Sequence, residues 1–203
     1  MIDWKRKIEE YRMVSLHPSF LDARFNAESE ARELLKCKVG RFNREDLKVF
    51  LKLCNTELTH NNFHNLKHTY KRFGLAFISN RGTLIANTGG CNRLFSDLWQ
   101  FDGNELDILD SFWRHSHITG AGTGLPTLIL YLKHPEKYNI WFPYLSDGIS
   151  SIIDKKLDKS INIINYTEYN NKVNNHLKNI KYSPPIKPQE IDYILYRIGK
   201  ENH

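Results

Sequence analysis

The sequence predicts a mainly α-helical protein, a compact bundle of eight to ten short helices. Three observations carry that expectation. Apolar residues recur at three- and four-residue spacing through most of the chain. Strong helix formers fill several of these segments. Neither an internal repeat nor a low-complexity linker interrupts them, so residues 1–203 read as a single domain.

The elements follow in order. Residues 3–13 place Trp4, Ile8 and Tyr11 on one helical face. Residues 27–35 are rich in Ala, Glu, Arg and Leu. Asn43 with Asp46 reads as a cap before Leu47, Phe50, Leu51 and Cys54. Residues 92–99 carry Leu94, Phe95, Leu98 and Trp99, and residues 104–113 carry Leu106, Ile108, Leu109 and Phe112. Helices are also expected over 124–132, 143–157, 166–180 and 189–198. Between Arg72 and Gly90 the pattern changes: "FGLAFISNRGTLIANTGG" sets turn residues between short apolar runs. That stretch reads as one small hairpin near 75–88 or as an irregular loop.

Composition narrows the function classes. Hydrophobic residues make up 40% of the chain, as in ordinary soluble proteins. The longest apolar run, residues 125–132, is too short to span a bilayer, and the charged start MIDWKRKIEEYR is no signal peptide, so a cytoplasmic, membrane-free protein is expected. Cys37, Cys54 and Cys91 form no CxxC pair and read as reduced thiols. A net charge of +6 favours a polyanionic partner. The many asparagines between Asn162 and Asn179 read largely as codon bias.

The most informative stretch is "HITGAGTGLPTLILYLKHPEKYNIW", residues 117–141. Ile118, Gly120, Ala121, Gly122 and Leu125 fill the pattern of a helix–hairpin–helix element at about 117–133. The first glycine would take the positive φ of the turn, and the second would let a ligand reach the backbone. Amides opening the second helix would then meet a phosphate oxygen. His117, Thr123 and Lys133 flank the turn as further DNA-binding candidates. The other reading is a plain glycine-rich corner.

This stretch resembles the hairpin of the helix–hairpin–helix DNA glycosylases. It is still more similar to the N-terminal helical domain of AAA-type modification-dependent restriction ATPases, where a Gly-x-Gly turn and a helix lead into a run like His134–Trp141. "CNRLFSDLW" and "EIDYILYRI" extend the resemblance to most of the chain from about Leu16. It implies a stand-alone DNA glycosylase in antiviral defence that flips out and excises a modified base, leaving an abasic site. Phage DNA with modified bases would be its partner, no cofactor is implied, and a monomer is expected. A non-catalytic DNA-binding or modified-base-binding module is the alternative. A scaffold that binds another protein is a third reading.

Two positions depart from the glycosylase pattern. Gly124 stands where bifunctional members carry a lysine nucleophile, so any activity should be monofunctional. Phe142 stands where a catalytic aspartate is expected. Cleaving an N-glycosidic bond builds positive charge on the sugar, so a carboxylate must stand nearby. Asp147 is the first candidate, Asp192 the second and Glu136 the third. Asp192, within an apolar final helix, could instead be a solvent-facing residue or a buried bridge between helices. Trp141, Phe142 and Tyr144 are candidates for a base pocket.

His60, His64 and His68 recur at i, i+4 and i+8 in "HNNFHNLKH". Without a nearby acid or cysteine they are not read as a metal site. With Lys67, Lys71 and Arg72 they read as a polar face for DNA phosphates.

Overall fold

Ten α-helices, with no strand among the described residues, make up the computed structural model, which describes residues 3–15, 18–54, 81–101, 103–116 and 118–201. They are α1 (Trp4–Ser15), α2 (Pro18–Lys38), α3 (Arg44–Cys54), α4 (Arg81–Ala86), α5 (Thr88–Gln100), α6 (Glu105–His115), α7 (Gly124–Lys133), α8 (Leu145–Ile153), α9 (Ile163–Val173) and α10 (Pro188–Glu201). α9 runs on into a wider π-helical turn, Asn174–Lys178. None of these helices is long and apolar enough to cross a membrane.

Asparagine starts several of the helices. The Asn43 side chain accepts from the Asp46 amide at 2.8 Å, and Asp46 returns the bond to the Asn43 amide at 3.2 Å. This reciprocal pair satisfies two donors that the first turn of α3 would otherwise leave open. Asn87, Asn104 and Asn162 cap α5, α6 and α9 in the same way. The asparagine content read as codon bias is therefore in part structural.

One expectation needs correction. Residues 75–80 of the expected hairpin lie outside the described residues, and residues 81–86 are helical. Leu84 is fully buried and leads, through the Asn87 cap, into α5 with Cys91, Leu94 and Phe95. Packing of those apolar positions outweighs the turn preference of Arg81 and Gly82.

α7 is the axle of the bundle. Every residue from Gly124 to Leu132 is buried, so the helix has no solvent face. On one side, Phe42, Phe50 and Phe95 meet with ring centroids 5.2–5.8 Å apart. On the other, Trp141 contacts Trp113, Tyr166 and Tyr169 at 5.7–6.2 Å. Fully burying one such large side chain contributes about 1.5–3 kcal/mol.

Two polar devices join the helices. Arg24 on α2 is 1% exposed. Its Nε donates to Glu28 Oε1 at 3.1 Å, and its Nη1 donates to the Gln189 carbonyl at 2.6 Å and to Asp192 Oδ1 at 2.5 Å. Glu28 also accepts from the Tyr131 hydroxyl at 2.8 Å and from Gln189 Nε2 at 2.7 Å. α2, α7 and α10 are thus tied through one buried cluster. The second device holds the extended connection from α7 to α8. Asn170 accepts from the amide and the side chain of Asn139, while Tyr166 and Tyr169 donate to the carbonyls of Asn139 and Ile140. Lys178 donates to the Pro135 carbonyl at 2.8 Å.

α8 and α10 approach so closely that a Cβ on Gly148 would lie 2.1 Å from the Leu195 carbonyl oxygen. Gly148→Ala should therefore cost about 1–3 kcal/mol in denaturant unfolding. Gly82→Ala is the control, because its added methyl meets nothing within 4 Å. Equal midpoints for the two variants would refute the close approach. Arg24→Met leaves Asp192 and Glu28 as buried charges without their guanidinium, and should lower stability by about 3–5 kcal/mol. A loss under 1 kcal/mol in the same assay would contradict the cluster's role.

Candidate functional site

The connection between α6 and α7 turns on two glycines with positive φ, Gly120 at 90° and Gly122 at 49°. The Ala121 amide donates to the Ile118 carbonyl at 3.0 Å, which closes the turn. A Cβ on Gly122 would meet no atom within 4 Å, so the backbone there stands open. Thr123 sits at the N-cap of α7 but makes no side-chain cap hydrogen bond. Its side chain is buried, and its carbonyl accepts from the Thr127 hydroxyl at 2.8 Å. No side chain neutralises the positive end of the α7 dipole, but the first turn is itself buried, its Leu125 amide donates to the Ala121 carbonyl at 3.1 Å, and Pro126 has no N–H, so the open backbone is that of Gly122. His117 lies outside the described residues, as do Lys67, Lys71, Arg72 and the three histidines at 60, 64 and 68. Among the described residues no group of His, Cys, Asp or Glu is arranged to hold a metal.

Thr127 also accepts from the Trp141 amide at 3.0 Å, which pins the α7–α8 connection against the turn. Phe142 consequently lies over Gly124, where a Cβ would come within 2.3 Å of the Phe142 ring. A side chain at position 124 would have to displace the Phe142 ring, which glycine leaves in place. Phe142 stacks on Tyr144 with centroids 5.4 Å apart and planes 10° apart. Tyr144 stays 41% exposed and meets Tyr196 of α10 edge-on at 6.2 Å. Burial, reinforced by Asp192 and Tyr196 nearby, raises the Tyr144 pKa above its ordinary value. Glycine turn, aromatic stack and Asp192 thus adjoin one another.

The candidate carboxylates fare differently. Asp192 is 4% exposed; its Oδ1 takes Arg24 and the Tyr193 amide, and its Oδ2 is buried without a hydrogen-bond partner among the described residues. Burial alone would lower the Arg24 pKa, but Asp192, Tyr131 and Glu28 hold it raised. Asp147, in the first turn of α8, meets Lys159 Nζ at 2.5 Å and is partly exposed. Glu136 is a surface acid, its side chain 72% exposed and 3.5 Å from His134.

Two other candidates point elsewhere. Trp141 is wholly buried, and its indole donates to the Ser146 hydroxyl at 3.0 Å, so it belongs to the core rather than to a pocket wall. Lys133 ends the ten-residue α7, about 14 Å along the axis from its start. It donates to the Phe101 carbonyl at 2.7 Å and pairs with Glu105 at 3.4 Å, away from the turn. Arg24, Glu28, Gln189 and Tyr131 were not anticipated. The one signal for them was the i, i+4 pair Arg24–Glu28, which reads equally as a surface pair. Comparison with known protein families, with curated proteins and with solved structures finds no match.

Glu105 gathers Lys133, Lys137 and the Tyr138 hydroxyl at the start of α6. Burial alone would raise its pKa, yet the bonds from Tyr138, from its own backbone and from Lys137 hold it down to about 2, from 4.5. A depressed carboxylate contributes stability that is complete above 4.5 and is lost as pH falls towards 2. Glu105→Gln should therefore lower the melting temperature at pH 6 and narrow its gap to the wild type between pH 4.5 and 2. A constant gap across that window would contradict the assignment.

Proposed function

We propose that this protein binds DNA at the glycine turn and hydrolyses the N-glycosidic bond of a base turned out of its stack, a modified base in the first instance. The observation that carries the reading is the turn itself. Gly122 leaves its backbone open, α7 begins without a side-chain cap, and the Phe142–Tyr144 stack adjoins that start. A phosphate oxygen that reaches the open backbone at Gly122 would lie near the positive end of the α7 dipole, and an exposed ring suits a flipped base.

Asp192 ranks ahead of Asp147 as the carboxylate beside the sugar. Arg24 and the Tyr193 amide fix one of its oxygens, and the other has no partner among the described residues. A charge held still in advance stabilises a developing cation without reorganising. As the C1′–N bond breaks, its electron pair leaves with the base. Water then adds its oxygen to C1′, and the proton it gives up goes to the nitrogen of the departing base. Gly124 supplies no amine, so no covalent sugar adduct forms.

One observation favours a second reading, a module that binds DNA and cuts nothing. Asp147 and Asp192 each already face a cation, Lys159 and Arg24, and paired charge is blunted as a catalyst.

The test combines abasic-site formation on modified and unmodified phage DNA with binding measured alongside. Gly122→Asn tolerates positive φ and adds a side chain into open space. It should fold normally and weaken binding about tenfold or more, the worth of one hydrogen bond to a charged group. Asp192→Asn keeps an acceptor for Arg24 and should abolish turnover while binding persists. Turnover lost only in Asp147→Asn would move the role to Asp147. A wild type that binds but releases no base from any modified DNA would favour the binding module, and unchanged binding by folded Gly122→Asn would overturn the turn as the site.

A further inference from the structure

The proposed DNA site continues onto α10, and its chemistry there differs from that of a duplex-binding surface. Tyr144 is exposed while stacked on Phe142 and met edge-on by Tyr196. Lys200, one turn beyond Tyr196 on α10, holds its ammonium 4.9 Å from the Tyr196 ring centroid. Gly199 lies against Asp147, whose carboxylate is met by Lys159 at 2.5 Å. Two tyrosine rings and Lys200 therefore lie together, and Asp147 beside them is matched by Lys159.

We infer that this face receives an unpaired DNA strand, so that the protein's preferred substrate is single-stranded DNA. The proposal rests on DNA as the ligand of the turn. Bases within a duplex stack on one another at about 3.4 Å per step and offer no π-face to a side chain. An exposed tyrosine ring can be covered only by a base that has left its stack, and an unpaired strand supplies such a base without the cost of unpairing that a duplex carries. Lys200 then meets a phosphate of that strand, and a basic group beside stacking rings is the combination by which non-sequence-specific single-strand binders work. The chain's net charge of +6 matches a polyanion.

Fluorescence anisotropy with a labelled oligothymidylate and a hairpin duplex of equal length tests this, using the whole chain at low and moderate salt. The single strand should bind about tenfold tighter than the duplex. Tyr144→Leu keeps an apolar side chain against Phe142 but loses the stacking ring, and should weaken single-strand binding about tenfold and duplex binding by less. Lys200→Gln should reduce the slope of log affinity against log salt by about 0.7 for the single strand. Duplex binding as tight as single-strand binding, or a Tyr144→Leu protein of wild-type melting temperature with undiminished single-strand affinity, would overturn the proposal. The outcome is separable from that of base excision. Strand binding through Tyr144 without base release upholds this inference and removes the glycosylase reading, whereas base release from duplex DNA that binds as tightly as the single strand does the reverse.

Discussion

A guanidinium with no access to solvent organises this protein. Arg24 stands on α2 with its charge met by Glu28 on its own helix and by Asp192 and the Gln189 carbonyl on α10. Tyr131 brings α7 into the same cluster through Glu28. An ion buried in this way is not a generous source of stability, because desolvating the charges costs about as much as their attraction returns. What it imposes is geometry. α2 and α10 can meet in only one register if every charge is to find its partner, and that register carries Asp192 to the neighbourhood of Tyr144.

The connection from α7 to α8 depends on a second constraint. Nine residues without regular structure, 134–142, pass beside the core, where each backbone group needs a partner. Asn170, Tyr166, Tyr169 and Lys178 supply bonds from one side, and Thr127 supplies one from α7. The π-helical turn at Asn174–Lys178 lies in the segment that carries Asn174 and Lys178 to this connection. A segment bonded at so many points carries Phe142 onto Gly124, and the start of α7, the phenylalanine and Tyr144 pack against one another. Packing of this kind is what a site on irregular backbone requires if it is to hold a ligand in one pose.

The same constraints bear on chemistry. Asp192 is the most thoroughly fixed of the candidate carboxylates, but the residue that fixes it is a cation. Its worth as a catalyst depends on whether Arg24 orients it more than it screens it. Asp147 faces a similar balance with Lys159, in a wetter place where both interactions are weaker. The aromatic stack is indifferent to this question, since a ring binds a base by its face whatever the neighbouring carboxylate does.

The sequence by itself determined the class of fold and much of its local detail. Helical spacing places a helix on Leu47, Phe50, Leu51 and Cys54, the Asn43–Asp46 pair marks where it starts, and Gly120 and Gly122 mark a turn before Gly124. These are local properties, set by neighbours a few residues away. Tertiary structure alone decided which polar residues would be buried and which aromatics exposed. Nothing near Arg24 announces that its partners are Gln189 and Asp192, 165 and 168 residues away. Trp141 and Tyr144 read alike in sequence, yet Ser146, Tyr166 and Tyr169 enclose the first while the second stays 41% exposed. Lys133 looks close to the turn until the rise of its helix carries it to Glu105. Periodicity says which residues share a face of a helix; only packing says what that face meets.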